Sequence, residues 1–307
     1  MFGRRFKWIF LPLALATIVV YVAVSYFIAY SVTQGDRTEL FDSPQDYSLS
    51  FREVEFPSRR GDVKLKGWLI PAELGFKGDE SRVLILVHGL NSTRTGGDGE
   101  NTHLASMLSK SGYGVLMFDL RGHGLSGGDR ISGGYFERLD ILGAADMLRN
   151  EGIPFDRIGV LGFSMGASAA ALAAADEPGL SALVLDTAYA SVSDLLAQET
   201  ALATPFPEWM TPAFVPMATF FARVIYGIHV DEMVPEASVR GLGYPILVIH
   251  GMEDDRIPPG HGPRIHNAGP PGSELWMVPG VTHADSFSSD PDAYVQRVDR
   301  YMAERLK

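Results

Sequence analysis

The 307-residue chain contains no cysteine, which excludes structural disulfides, cysteine nucleophiles and thiolate-bound metals. It also lacks the phosphate-binding G-x-x-x-x-G-K-[ST] motif and the His-x-x-x-His and EF-hand spacings of common metal sites. The sequence therefore predicts neither a metal nor a cofactor. Internal repeats and low-complexity tracts are absent as well, and the apolar fraction of 46% is ordinary for a folded globular protein.

Acidic residues are missing from the first 35 positions, where Arg4, Arg5 and Lys7 give a charge of +3. Since the whole chain carries −11, residues 36–307 carry −14. An acidic body of this kind repels polyanions, which argues against a nucleic-acid partner.

A long apolar segment without charged residues lies between Lys7 and Asp36. About 20 apolar residues suffice to cross a bilayer, so residues 1–32 are predicted to form a transmembrane anchor. A cleavable signal peptide is the competing interpretation, since the stretch from Ala29 to Ser31 fits a small-x-small cleavage site. The apolar region of a signal peptide usually spans about 7–15 residues, so the length of this segment favours an uncleaved anchor.

The charges that flank this segment predict its orientation. Basic residues precede the span, whereas Asp36, Glu39 and Asp42 follow it. By the positive-inside rule, the N-terminus lies in the cytoplasm and the main domain lies outside it. We therefore expect a single-pass membrane protein with an extracytoplasmic domain.

After a polar connector at residues 33–50, strand-like and helix-like stretches alternate over residues 51–307. The segments FREVEF and DVKLKGWLI alternate in polarity around a turn at 59–62, which predicts an antiparallel hairpin. Helix-like spacing and short apolar runs then follow one another. The runs resemble strands buried on both faces: RVLILVHG, GVLMFDL, RIGVLGF, SALVLD, PILVIHG and ELWMVPG. The alternation predicts an α/β fold, with a mostly parallel central sheet and helices on both faces.

The stretch from about 193 to 240 interrupts this alternation. It is rich in proline and aromatic residues between 205 and 221 and has no strand-like run. We interpret it as a short helical cap inserted over the carboxyl edge of the sheet, although a long packed crossover fits the same pattern.

Two pentapeptides fit the nucleophile pattern G-x-S-x-G, one centred on Ser126 and one on Ser164. The pattern forms a nucleophile elbow only where a strand precedes the serine and a helix follows it. The strand-like RIGVLGF and an alanine-rich helix former flank Ser164. Ser126 is followed by the glycine-rich GGDRISGGY and is predicted to lie in a turn. Ser164 is therefore the candidate nucleophile.

A serine nucleophile needs a base, and the base needs a third group to orient it. The loop after PILVIHG supplies three acids, Glu253, Asp254 and Asp255. The loop after ELWMVPG contains His283, which is placed as the general base. Residue chemistry alone does not choose among the three acids.

From about residue 50 onward, the chain resembles the α/β-hydrolase superfamily, in particular membrane-anchored abhydrolase-domain serine hydrolases and their prolyl-oligopeptidase-like relatives. Five motifs in order carry the resemblance: LVHGLN, DLRGHGLSGG, GFSMG, HGMEDDRIP and GVTHADSF. The family pattern H-G-x-x-D-x-x-x-P, aligned on His250, implies Asp254 as the acid. The resemblance also implies an oxyanion hole formed by the main-chain N–H groups of Leu90 and Met165.

Together these residues predict a membrane-tethered serine hydrolase that cleaves a small-molecule or lipid-like acyl ester through an acyl-enzyme. A peptidase or thioesterase with the same triad is an alternative, because related sequences carry out all of these reactions. A non-catalytic binding protein on a hydrolase fold is a third alternative, which the complete set Ser164, Asp254 and His283 argues against. Substrate identity, acyl length and oligomeric state do not follow from the sequence.

Overall fold

A computed structural model describes residues 2–35, 37–73, 75 and 81–307 of the chain, without the side chains of residues 2–10. Asp36 and the basic side chains of residues 4, 5 and 7, on which the predicted orientation depends, lie outside the described residues. The chain divides into two compact units. We call residues 35–191 and 233–307 the sheet unit, and residues 1–34 and 192–232 the anchor unit.

Strands and helices alternate along most of the described chain. The strands are β1 Arg52–Pro57, β2 Lys64–Ile70, β3 Val83–Val87, β4 Gly114–Phe118, β5 Ile158–Phe163, β6 Ala182–Asp186, β7 Leu247–Gly251 and β8 Glu274–Val278. The α-helices are α1 Phe2–Val32, α2 Glu100–Lys110, α3 Glu137–Asn150, α4 Met165–Asp176, α5 Leu196–Ala203, α6 Val215–Tyr226, α7 Pro235–Val239, α8 His261–Ala268, α9 Ser286–Ser289 and α10 Pro291–Arg305. Short 3₁₀ turns occur at Pro44–Tyr47, Phe155–Arg157, Val192–Asp194, Glu208–Ala213 and Val230–Glu232.

The sheet unit is built on one eight-stranded sheet in the order β1-β2-β4-β3-β5-β6-β7-β8. The predicted hairpin forms β1 and β2, which are antiparallel, and β2 pairs antiparallel with β4. All other neighbours are parallel. The predicted α/β-hydrolase fold with a mostly parallel sheet is confirmed. Because β3 and β5 to β8 run the same way, the loops after them meet at one edge of the sheet.

Helices bury both faces of this sheet. Along β3, Val83, Ile85 and Val87 pack into one hydrophobic cluster, while Leu84 and Leu86 pack into the other. The first cluster includes residues of α3, α4, α7 and α8, and the second includes residues of α2, α9 and α10. Continuous apolar runs are needed because every second side chain points to the opposite, equally buried face.

The anchor unit combines α1 with the helical segment of residues 192–232. Within α1, Leu11–Val32 is a 22-residue stretch of mean hydropathy 2.2, long and apolar enough for a membrane span or a signal sequence. Its C-terminal part packs on α6, where Ile28 and Ala29 are buried with Ala218. Helices and 3₁₀ turns, with no strand, form the described segment from 193 to 240, and its role as a cap stays a prediction.

Candidate active site

Ser164 occupies the turn between β5 and α4, at the carboxyl end of the strand. Its φ of 54° and ψ of −120° lie in a region that residues with side chains adopt only when the surrounding structure holds them there. Its N–H donates to the main-chain oxygen of Asp186, at the end of the neighbouring β6, at 2.9 Å. The serine thus sits at the N-terminus of α4, whose partial positive charge favours a developing anion.

Two glycines, Gly162 and Gly166, make this tight turn possible. A Cβ at Gly162 would lie 2.6 Å from the main chain of Ala167. A Cβ at Gly166 would lie 2.3 Å from the main-chain oxygen of His88, which follows β3. Side chains at these two positions would therefore clash with the backbone, as the sequence predicts for an elbow.

The variant Gly166→Ala is expected to destabilise the protein by about 1–3 kcal/mol or more, because the added methyl overpacks against the backbone after β3. Gly241→Ala is the matched control, since a Cβ there would meet no atom within 4 Å and its φ is not positive. Chemical denaturation of both variants measures the difference. Equal unfolding midpoints for the two variants would contradict the close approach at Gly166.

The structure brings Ser164, His283 and Asp254 together in one hydrogen-bonded row. His283 Nε2 lies 3.0 Å from Ser164 Oγ. His283 Nδ1 lies 2.9 Å from Asp254 Oδ2 and 3.1 Å from Oδ1. With a carboxylate at Nδ1, the ring carries its proton there, and Nε2 is left to accept the serine proton.

Asp254 is held by its own loop as well as by the histidine. Its Oδ1 accepts the N–H groups of Arg256 at 2.9 Å and Ile257 at 2.8 Å, and its side chain is buried. The neighbouring acids Glu253 and Asp255 are exposed. The geometry therefore favours Asp254, which the family pattern implied, among the three acids that residue chemistry alone left open.

The loops that carry Asp254 and His283 are tied to each other. The Met252 N–H donates to the Val278 oxygen at 2.9 Å, and the Glu253 N–H donates to the Val281 oxygen at 2.9 Å. Gly251 permits this approach, because a Cβ there would lie 2.4 Å from the Val281 oxygen. These bonds fix the separation between the acid and the base.

The loop after β3 lies beside the nucleophile. A Cβ at Gly89 would be 3.2 Å from Ser164 Cβ, and Leu90 lines the same cavity as Ser164. His88 holds the loop, since its Nδ1–H donates to the Gly89 oxygen at 2.7 Å and its Nε2 accepts the Leu120 N–H at 3.0 Å. Burial lowers the pKa of His88 to about 3, so the ring is neutral, as these two bonds require.

Leu90 and Met165 stay predicted oxyanion donors. Met165 is the first residue of α4, and the opening N–H groups of a helix have no partner within the helix. Leu90 belongs to the loop that His88 holds against the elbow. One donor thus comes from the elbow and the other from the loop after β3.

The second pentapeptide forms a turn after β4. The Ser126 Oγ–H donates to the Asp119 oxygen at 2.5 Å, and Oγ accepts the Lys66 N–H at 2.9 Å. Gly124 and Gly128 have positive φ values of 42° and 81°. Ser126 is buried, and both of its hydroxyl hydrogen bonds stabilise this turn, in which the sequence predicts it to lie.

Asp186, which sequence reasoning did not single out, lies next to the elbow. Its side chain is fully buried and accepts the hydroxyls of Thr187 at 3.0 Å and Ser286 at 3.2 Å. Burial raises the pKa of Asp186 to about 6, so its carboxyl gains a proton just below neutral pH. The sequence did contain a signal for this residue, because Asp186 is an acid at the end of the apolar run SALVLD, which forms β6 beside β5.

A cavity of about 210 Å³ adjoins Ser164 and His283. Phe163 and Phe287 contribute apolar walls, and Asn101 is a polar residue in its lining. Within the described part of the chain, no group of three or more histidine or acidic side chains is arranged to hold a metal ion.

A mostly parallel eight-stranded sheet with a serine elbow at its edge defines the class of protein: the chain is an α/β hydrolase. Residues 78–241, more than half of the chain, match the sequence model of the family described as serine aminopeptidase, S33, and the chain belongs to that family.

Relatives with related sequences occur in distant organisms. The protein YqkD of Bacillus subtilis is 27% identical over 305 residues, which cover 94% of each chain. The α/β hydrolase domain-containing protein WAV2 of Arabidopsis thaliana is 23% identical over 86% of this chain and 84% of its own.

Solved structures share the fold. The esterase Pf2001 of Pyrococcus furiosus superposes with a TM-score of 0.70 at 25% identity, over 89% of this chain and 98% of the esterase. An acylaminoacyl peptidase of Pyrococcus horikoshii superposes with a TM-score of 0.58 at 20% identity, over 83% of this chain and 41% of the peptidase. The second likeness concerns the fold alone.

Proposed function

We propose that the protein is a serine hydrolase that cleaves an ester-type acyl substrate through a triad of Ser164, His283 and Asp254. The observation that carries this proposal is the unbroken row of hydrogen bonds, 3.0 Å from Ser164 Oγ to His283 Nε2 and 2.9 Å from Nδ1 to Asp254. A hydroxyl, an imidazole and a carboxylate in this order convert a weak nucleophile into an effective one.

The reaction follows from the positions of these groups. His283 Nε2 takes the Oγ proton while Ser164 Oγ attacks the carbonyl carbon, and Asp254 stabilises the resulting imidazolium. The N–H groups of Leu90 and Met165 bind the oxyanion, each contributing a factor of about 100–1,000. The imidazolium then protonates the leaving alkoxide, and the alcohol departs from the acyl-enzyme. Water, activated by the same histidine, releases the acid and restores Ser164.

One observation supports a substrate that is compact near the reacting carbonyl, and a second supports an ester. The cavity of about 210 Å³ is smaller than the roughly 300–1,000 Å³ typical of sites for drug-sized ligands. Pf2001, whose structure is similar over 89% of this chain, is an esterase. Peptide-bond cleavage is the second candidate, because the family is described as serine aminopeptidase.

We also propose that α1 tethers the enzyme to a membrane, with its N-terminus in the cytoplasm. The stretch Leu11–Val32 is about 33 Å long at 1.5 Å per residue, which spans a hydrocarbon core of about 30 Å. Cleavage after Ser31 would remove nearly all of α1, including Ile28 and Ala29, which are buried against α6. This packing supports an uncleaved anchor over a signal peptide.

Labelling of the full chain with a fluorophosphonate probe tests the proposed nucleophile. Wild-type protein is expected to form a covalent adduct, and Ser164→Ala is expected to form none. The matched control is Ser126→Ala, which changes the serine of the other pentapeptide and should still be labelled in its folded fraction. An adduct on Ser164→Ala, or none on the wild type, would refute the triad.

The bond cleaved is tested next on unlabelled wild-type protein from the same preparation. A chain-length series of p-nitrophenyl esters is compared with peptide p-nitroanilides that carry a free amino terminus. Faster turnover of the short esters is expected. Turnover of the anilides alone would replace the ester proposal by the peptidase one, without affecting Ser164.

A further inference from the structure

Large apolar side chains of the anchor unit are exposed on and near α6. Val224 is 65% exposed, and Phe220 and Ile225 are about half exposed. Trp209, in the turn before α6, is 80% exposed. Phe220 and Val224, four positions apart on α6, are neighbours on the helix surface, and an exposed apolar patch marks a site of contact with a partner or a membrane.

The opposite face of α6 is the one that packs on α1. Ala218 and Ala222 are buried, and they lie two positions away from the exposed Phe220 and Val224. Two positions correspond to about 200° around a helix, so the small residues and the large residues face opposite ways. α6 therefore has a small-residue face towards α1 and a large apolar face away from it.

The contact face of α1 follows the same pattern of small residues. Ser25, Ile28 and Ala29 are buried, whereas Phe27 and Tyr30 between and beside them are exposed. Small residues at spacing four, such as Ser25 and Ala29, let two helix backbones approach closely, which is how helices associate within a bilayer. Aromatic contacts extend the interface, since Tyr21 stacks on Phe214 at 5.5 Å between ring centroids.

The position of this contact along α1 sets the depth of α6. The α1 residues that pack on α6, from Tyr21 to Val32, form the C-terminal half of the candidate span Leu11–Val32. If the span crosses the bilayer, as proposed above, this half lies in the leaflet away from the N-terminus. A helix packed along it lies at the same depth, and there its outer face meets lipid chains.

The chemistry of the segment suits that environment. Between residues 201 and 230, Glu208 and Arg223 are the only acidic, lysine or arginine residues. Arg223 lies in the last turn of α6, where a long side chain can reach the headgroups while its stem stays among apolar groups. An exposed Trp209 is typical of the interface between hydrocarbon and water.

We propose that α6 is a second membrane element: it inserts beside α1 into one leaflet, with Phe220 and Val224 in contact with lipid chains. This inference rests on the proposed membrane tether, because α1 sets the depth. The partner is the lipid hydrocarbon itself, so the contact depends on apolar area and not on headgroup charge.

The absence of cysteine allows a direct test by site-directed spin labelling of the full chain in phosphatidylcholine vesicles. Three single-cysteine variants are compared: Val224→Cys on α6, Leu15→Cys on α1 and Lys110→Cys on α2. Leu15 is 61% exposed and reports on the anchor, while Lys110 is an exposed charged residue of the sheet unit. Oxygen, which is enriched in hydrocarbon, and a water-soluble nickel chelate serve as collision partners.

We expect the label at Val224 to behave like that at Leu15, with strong oxygen broadening and loss of the nickel effect, and Lys110 to show the reverse. Nickel access at Val224 with lipid access at Leu15 would overturn the insertion of α6 and leave the tether intact. Nickel access at both positions would overturn the tether. Spin–spin broadening at Val224 would mean that α6 faces a second copy of the chain, which also contradicts contact with lipid.

Discussion

Replacement of His283 by alanine is expected to lower kcat for ester hydrolysis by about a million-fold, the loss typical of a missing base in a triad. The reason is that Ser164 Oγ, 3.0 Å from Nε2, then has no group to take its proton. Only hydroxide can remove the proton in the variant, so its residual rate should rise with pH up to the limit of stability. Initial rates on a p-nitrophenyl ester between pH 6 and 9 measure both effects.

The control for this variant is His266→Ala, which removes a half-buried histidine outside the triad that hydrogen-bonds the Ser273 oxygen. It should keep the wild-type rate within a small factor. A His283→Ala enzyme that is folded and retains more than about a hundredth of the wild-type kcat would show that another group acts as the base.

The variant Asp254→Asn is expected to lower kcat by about 10,000-fold, because an amide at this position favours the wrong tautomer of His283. The oxygen of the new amide could still accept the N–H groups of Arg256 and Ile257, so the loop should keep its shape. The exposed neighbours provide matched controls: Glu253→Gln and Asp255→Asn each remove one negative charge from the same loop.

Steady-state kinetics of the three variants separates geometry from charge. The two controls should stay within about tenfold of the wild type, since exposed charges act through screened, high-dielectric surroundings. A loss for Glu253→Gln or Asp255→Asn as large as that for Asp254→Asn would mean that the loop acts through its total charge. That result would contradict the proposal that Asp254 alone orients His283.

The sheet and the three candidate residues could be predicted because each depends on local sequence. A strand buried on both faces must be apolar throughout, so the apolar runs that form β3 to β8 could be predicted from the sequence. Ser164 was separated from Ser126 by the strand before it and the alanine-rich helix after it. Asp254 followed only from the family pattern, because residue chemistry does not separate it from Glu253 and Asp255, which differ from it in the direction in which the loop points them.

The packing of the anchor unit could not be predicted from the pattern of residues. When nearly every position from Leu11 to Val32 is apolar, hydrophobic periodicity does not identify the face that packs on another helix. Only the burial of Ser25, Ile28 and Ala29 identifies it. Similarly, the contact of Asp186 with the elbow depends on which strand lies beside the one that carries Ser164, and the pattern of residues does not give that order.

The two histidines at the ends of β3 and β7 have a consequence for experiments at different pH. Burial lowers the pKa of His88 to about 3 and also lowers the pKa of His250, whose Nε2–H donates to the Ile257 oxygen at 2.9 Å. Both shifts favour the neutral ring, and for His88 the neutral form extends into the mildly acidic range. The loop of Leu90 therefore keeps the hydrogen bonds made by His88 on mild acidification, so a loss of turnover in that range arises elsewhere in the site.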